Sequence, residues 1–124
     1  MPVDYKIVAD KRLVIVRYYG HLKLEEIIAA RQKGASDPDF DPTYNIIDDI
    51  SEVDSSDINY EMIQRVSAQS VAEKGVRRAL IVKTDLQRGM AKIYKVLSES
   101  VGHHFEIFED YKAGMDWVMG SGDE

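Results

Sequence analysis

Cysteine is absent from all 124 residues, which excludes disulfides, thiolate metal sites and a cysteine nucleophile. Long apolar runs are absent too; the longest span only a few residues, too short to cross a bilayer. The opening Met1-Pro-Val-Asp-Tyr-Lys6 lacks the basic-then-apolar order of a signal peptide. Positive charge is sparse: 16 Lys and Arg stand against 22 Asp and Glu, for a net charge of -6. The densest basic pairs, Lys11-Arg12 and Arg77-Arg78, build neither the basic face that nucleic acid needs nor a basic amphipathic membrane anchor. No repeat, linker or low-complexity segment is visible. A P-loop, a Gly-x-Gly-x-x-Gly motif and a Ser-His-Asp order are all missing. Together these absences predict a cytoplasmic protein that is not an enzyme, uses no cofactor or metal, binds no nucleic acid, and has neither a membrane span nor an amphipathic anchor.

What is present is a hydrophobic content of 44%, enough for one real core in one domain. The expected boundaries are 1–119 for the domain and 120–124 for a disordered tail. Tyr5 to Ala9 and Leu13 to Tyr19 read as an antiparallel hairpin around Asp10-Lys11-Arg12, with Gly20 ending the second strand. Leu24, Ile27, Ile28 and Arg31 recur at helical spacing, with Gly34 as the C-cap. Asn45 to Ile50 and Ala79 to Val82 lack polar alternation and read as strands buried on both faces. A helix is expected from about Ile58 to Glu73, with Ile58, Met62, Ile63 and Val66 on one face. A third helix carries Leu86, Met90, Ile93, Tyr94, Leu97 and Val101 as its apolar face. His104 to Phe108 reads as a last strand, and a helix from about Lys112 buries Ala113, Trp117 and Val118. The order β-β-α-β-α-β-α-β-α predicts an α/β domain with a mixed, mostly parallel sheet, an N-terminal β-hairpin and about four helices.

Tyr44 to Ile58 is the most informative stretch. A short apolar run ends in Asp48 and Asp49, then a Ser- and Asp-rich segment leads toward a helix, where α/β domains commonly place ligands. The bland reading makes Ser55, Ser56 or Asp57 the N-cap of that helix and nothing more. An ion pair between Asp49 and Lys83 is expected at the strand ends, since no recognised catalytic spacing joins Asp48, Asp49 and Lys83. Asp37, Asp39 and Asp41 copy the first ligands of a calcium loop. Pro42 and Asp48 stand where that loop needs Gly and Glu, so a rigid solvated turn is expected. His103 and His104 are adjacent and would point to opposite faces of a strand, so they do not chelate together.

Several features occur in a fixed order along nearly the whole chain, from Tyr5 to Val118. They are the hairpin, Gly20-His-Leu-Lys-Leu-Glu-Glu26, Phe40-Asp-Pro-Thr-Tyr-Asn45, Arg77-Arg-Ala-Leu-Ile-Val82, and Phe108-Glu-Asp-Tyr-Lys-Ala113 with Trp117. In this order they resemble the SpoIIAA-like family, relatives of the STAS domain of anti-anti-sigma factors. The resemblance implies a single STAS/SpoIIAA-like domain and a non-catalytic regulatory or protein-interaction role. It also implies that Ser56, in Asp49-Ile-Ser-Glu-Val53 followed by Asp54-Ser-Ser-Asp-Ile58, sits at the phosphorylated position of those antagonists. This chain has a shorter turn there, and Asp57 replaces a glycine. The candidate regulatory or partner site is therefore Asp49, Ser51, Asp54, Ser55, Ser56 and Asp57, with a protein partner and a homodimer through the hairpin edge expected. The alternative is a carrier of a small apolar or amphipathic, lipid-like ligand. Its candidate pocket lies beneath the third helix at Met90, Tyr94 and Leu97.

Overall fold

A computed structural model describes residues 3–57, 59–68 and 72–120. Their order is β1 Val3–Val8, β2 Leu13–Leu22, α1 Leu24–Ala35, β3 Asn45–Ser56, α2 Tyr60–Ala68, β4 Arg77–Ile81, α3 Asp85–Ser100, β5 His104–Phe108 and α4 Tyr111–Val118. The hairpin turns through a short 3-10 segment, Ala9–Lys11, and closes on Arg12 in the left-handed region at φ 52°. One five-stranded sheet holds the strands in chain order, β1-β2-β3-β4-β5. Only β1 and β2 pair antiparallel; every later pair is parallel.

Strands laid side by side in chain order, joined by right-handed crossovers, put α1, α2 and α3 on one face of the sheet. Packing agrees with this. Tyr18 and Leu22 of β2 meet Leu24 and Ile27 of α1 and Val66 of α2. Leu80, Val82 and Phe105 meet Ala91 of α3. On the other face α4 covers Leu13, Ile47, Ala79 and Ile81 with Val118, Met115 and Trp117. The approach of α4 is close: a Cβ on Gly114 would stand 2.6 Å from Ile81 Cδ1, so any larger residue there requires the Ile81 side chain to shift. β3 therefore sends Ile46 and Asp48 to the three-helix face and Ile47 to the α4 face, the period-two alternation of a strand.

Several expectations are corrected. The second strand passes through Gly20 to Leu22, with Gly20 at φ 72° beside a register shift. Gly34 lies inside α1, whose C-cap is Ser36. β3 does not stop at Ile50 but continues to Ser56, paired with the extended β2. The described part of α2 begins at Tyr60; Ile58 and residues 69–71 of the expected helix lie outside the described residues, as do residues 121–124 of the expected tail. On α3 the buried positions are Gln87, Ala91 and Ser98, whereas Leu86 and Val101 are exposed. On α4 Gly114 is buried and Ala113 is exposed.

Candidate functional site

The Asp49–Ser56 segment is a strand, not a turn. Beyond Ile81, the last residue of β4, β2 and β3 run on as a two-stranded parallel ribbon with two register shifts. Asp49 folds back on its own strand: its Oδ1 accepts from the Ser51 backbone N–H at 2.9 Å and from the Ser51 hydroxyl at 2.6 Å. It makes no ion pair with Lys83 among the described residues, because its carboxylate is committed to Ser51. Gln87 fastens the ribbon to α3. Its Nε2 donates to the Val53 carbonyl at 2.8 Å, while its Oε1 accepts from the backbone N–H groups of Lys83 and Thr84.

At the ribbon tip Ser55 and His21 are cross-strand partners. Ser55 Oγ lies 2.6 Å from His21 Nδ1, and His21 Nε2 lies 3.1 Å from Asp57 Oδ2. The three groups line up as Ser, His and Asp, although their chain order does not announce it. All three are exposed, and neither cavity described below touches them. They lace the ribbon end. Ser56 closes β3 opposite Leu22. The cap is Asn59, whose Oδ1 accepts from the Met62 N–H at 3.0 Å. The expectation that Ser55, Ser56 or Asp57 caps this helix is thus corrected: Ser55 and Ser56 end the strand, Asp57 meets His21, and Asn59 takes the cap.

A second constellation lies on the three-helix face. Asp48 is buried and accepts from Arg78 Nε at 3.0 Å and from the Tyr18 hydroxyl at 3.3 Å. Arg31 of α1 comes down beside them and donates to the Val66 carbonyl and, through its other terminal nitrogen, to the Tyr94 hydroxyl. The guanidiniums of Arg31 and Arg78 also sit 5.8 and 5.6 Å from the Tyr94 ring centroid, and that ring stacks on Phe105. Burial works against the charge of Arg31, but Tyr94, Tyr18 and Asp48 outweigh it and hold the guanidinium's pKa above its ordinary value. Burial likewise opposes the charge of Arg78, and Tyr94 and Asp48 more than offset it. The Tyr18 phenol is pushed up, first by burial and then by Asp48, so it stays a neutral donor. Arg31 Nε is buried and has no hydrogen-bond partner among the described residues.

This polar cluster is the floor of a cavity of about 340 Å³ between α1 and β1–β3. Tyr5, Ile7, Val14, Val16, Phe40 and Ile46 form its apolar walls, and exposed Gln32 and Ala35 lie at its rim. The space exists because the C-terminal half of α1 presents Ala30, Gly34 and Ala35 to the sheet, side chains too short to reach it. Beneath α3, where a ligand pocket was expected, the space is only about 60 Å³. Met90 and Tyr94 line that smaller cavity, and Leu97 lines neither. The two cavities share Tyr18, Arg31 and Asp48. Sequence reasoning missed this floor. Its signals were present: Arg31 on an apolar helical stripe, and Asp48 inside an apolar run.

The remaining sequence candidates are local. Asp37 and Asp41 accept from the Asp39 and Thr43 N–H groups, so the acidic loop is a pair of turns. Both carboxyls are held below their usual range by those backbone bonds. Among the described residues, no three of His, Asp or Glu gather as metal ligands would, and no helix is long and apolar enough to cross a membrane.

No family model matches the chain, and no curated protein matches it. Among solved structures, it is similar to an uncharacterised protein of the DUF3478 family from Shewanella loihica PV-4, described as having a SpoIIAA-like fold. The two share 16% identity at a TM-score of 0.64, over 94% of this chain and 93% of that one. At that identity the likeness speaks for architecture and not for activity: the chain has a SpoIIAA-like fold.

Proposed function

We propose that this domain is a non-catalytic binding module that holds a small amphipathic molecule between α1 and β1–β3. One observation carries the reading: a cavity of about 340 Å³ with apolar walls ends on a buried polar floor. Ligand sites commonly enclose about 300–1,000 Å³, mostly apolar, with a few fixed polar groups that orient the guest. Burial of an apolar guest supplies the affinity there, at about 25 cal/mol per Å² removed from water. Regulation through a protein partner at Asp49, Ser51, Asp54, Ser55, Ser56 and Asp57 has less behind it. That segment is a laced strand end with an exposed acidic rim, and neither of the two cavities reaches it.

The test uses the neutral fluorescent probe N-phenyl-1-naphthylamine. It is expected to bind the unmutated protein saturably at one site. Gly34→Leu is expected to abolish that signal while leaving the melting temperature in place, because a Cβ at Gly34 meets nothing within 4 Å and the added side chain enters the cavity. No binding to the unmutated protein, or equal binding to Gly34→Leu, removes the ligand role and returns attention to the acidic rim.

A further inference from the structure

We infer that the guest carries a carboxylate head group, which docks on Arg31 at the cavity floor; this rests on the binding role proposed above. Charge makes the first argument. Two guanidiniums, Arg31 and Arg78, face one carboxylate, Asp48, so the described floor carries one uncompensated positive charge. Asp48 is already committed, to Arg78 Nε at 3.0 Å and to the Tyr18 hydroxyl at 3.3 Å. It makes no hydrogen bond to Arg31 among the described residues, and its one negative charge is shared between two guanidiniums. A buried charge without a counter-ion is costly, and a bound anion relieves that cost.

Hydrogen bonding makes the second. The two terminal nitrogens of Arg31 are engaged with the Val66 carbonyl and the Tyr94 hydroxyl, while Nε is buried without a partner among the described residues. Buried donors are rarely left so, and an unmatched one marks a missing acceptor. A carboxylate would supply that acceptor with a charge-assisted bond once the guanidinium turns Nε, now sealed off, toward the cavity. The floor favours one negative charge over the alternatives. A neutral head leaves the excess charge uncompensated, a cation adds to it, and a dianion overshoots it beside Asp48. The walls of Ile7, Val14, Val16 and Ile46 ask for an aliphatic or aromatic body behind that head. The class is thus a small or medium-chain carboxylic acid.

Octanoate and 1-octanol have the same chain length and differ in the head group, so they separate charge recognition from cavity filling. Each is titrated against the unmutated protein loaded with N-phenyl-1-naphthylamine at pH 7.5. Octanoate is expected to displace the probe at a concentration at least tenfold lower than octanol. In Arg31→Met, checked for folding by circular dichroism, octanoate is expected to lose that advantage while octanol is unchanged. Equal displacement by the two on the unmutated protein overturns the carboxylate inference and leaves the cavity as a neutral-ligand site. An octanoate advantage that persists in Arg31→Met overturns the role of Arg31. Failure of the probe itself to bind defeats the underlying ligand role instead, so the two failures look different. If Arg31→Met does not fold, the comparison on the unmutated protein still decides the head group.

Discussion

At the level of single residues, the helix-capping role illustrates how position overrides composition. Ser55, Ser56 and Asp57 are all good caps by chemistry, yet Asn59 accepts from the Met62 N–H. Asn59→Ala should lower stability by about 1 kcal/mol, and Asp57→Ala, on an exposed site, by less than about 0.5 kcal/mol. Urea unfolding of both variants checks this; the reverse order would place the cap on the ribbon. The polar floor shows what a sequence does and does not disclose about such residues. Arg31 stands on the apolar stripe of Leu24, Ile27 and Ile28, and Asp48 interrupts an apolar run; each is legible as a charge in a buried pattern. That Arg31, on α1, and Arg78, on β4, should meet Asp48 on one face is set by sheet order and was not legible.

Among elements, the strands were the most readable, because short apolar runs bounded by turns announce them without help from the rest of the chain. Residues 51–56 were not, since their Ser and Asp content says turn while pairing with Tyr19 to Leu22 makes them strand. α3 was placed correctly but rotated. Its sequence advertises Leu86 and Val101, whereas the sheet takes Gln87, Ala91 and Ser98, two of them polar and satisfied. Small Ala91 lets the helix come close, and Gln87 serves as both capping-box partner and tether. Gln87→Ala should cost about 1–3 kcal/mol, because it strands the Lys83 and Thr84 N–H groups and the Val53 carbonyl. Hydrogen exchange should quicken at Lys83, Thr84 and the β3 residues beyond Ile50 while β4 stays protected. Uniform acceleration would show instead that Gln87 supports the whole fold and not the ribbon alone.

For the molecule as a whole, stability should respond to mild acid through His103. The ring is buried, its Nε2 bonded to the Ala72 carbonyl and its Nδ1 to the Ser98 hydroxyl. A carbonyl only accepts, so Nε2 carries the proton and Nδ1 takes one from Ser98. Burial, aided by Arg78 and Arg31 and opposed by the Ala72 bond, holds this imidazole below its usual range. The unfolded chain therefore binds the proton first. Stability is full above about pH 6.5 and falls as pH drops below it, until the folded His103 is itself protonated. Asp37 and Asp41, held low, act in the separate window below about pH 4. Urea midpoints at pH 7.5 and 5.5 should diverge in the unmutated protein and converge in His103→Gln; equal divergence in both would clear His103. The sheet's order has one more consequence. Strands that lie side by side in the order they leave the ribosome each find their neighbour already made. The exception is α4, which follows β5 and must reach back over β3 and β4. Until it does, Leu13, Ile47, Ala79 and Ile81 face water, so the interval between the making of β5 and the docking of α4 is when the nascent chain most needs shelter from its neighbours.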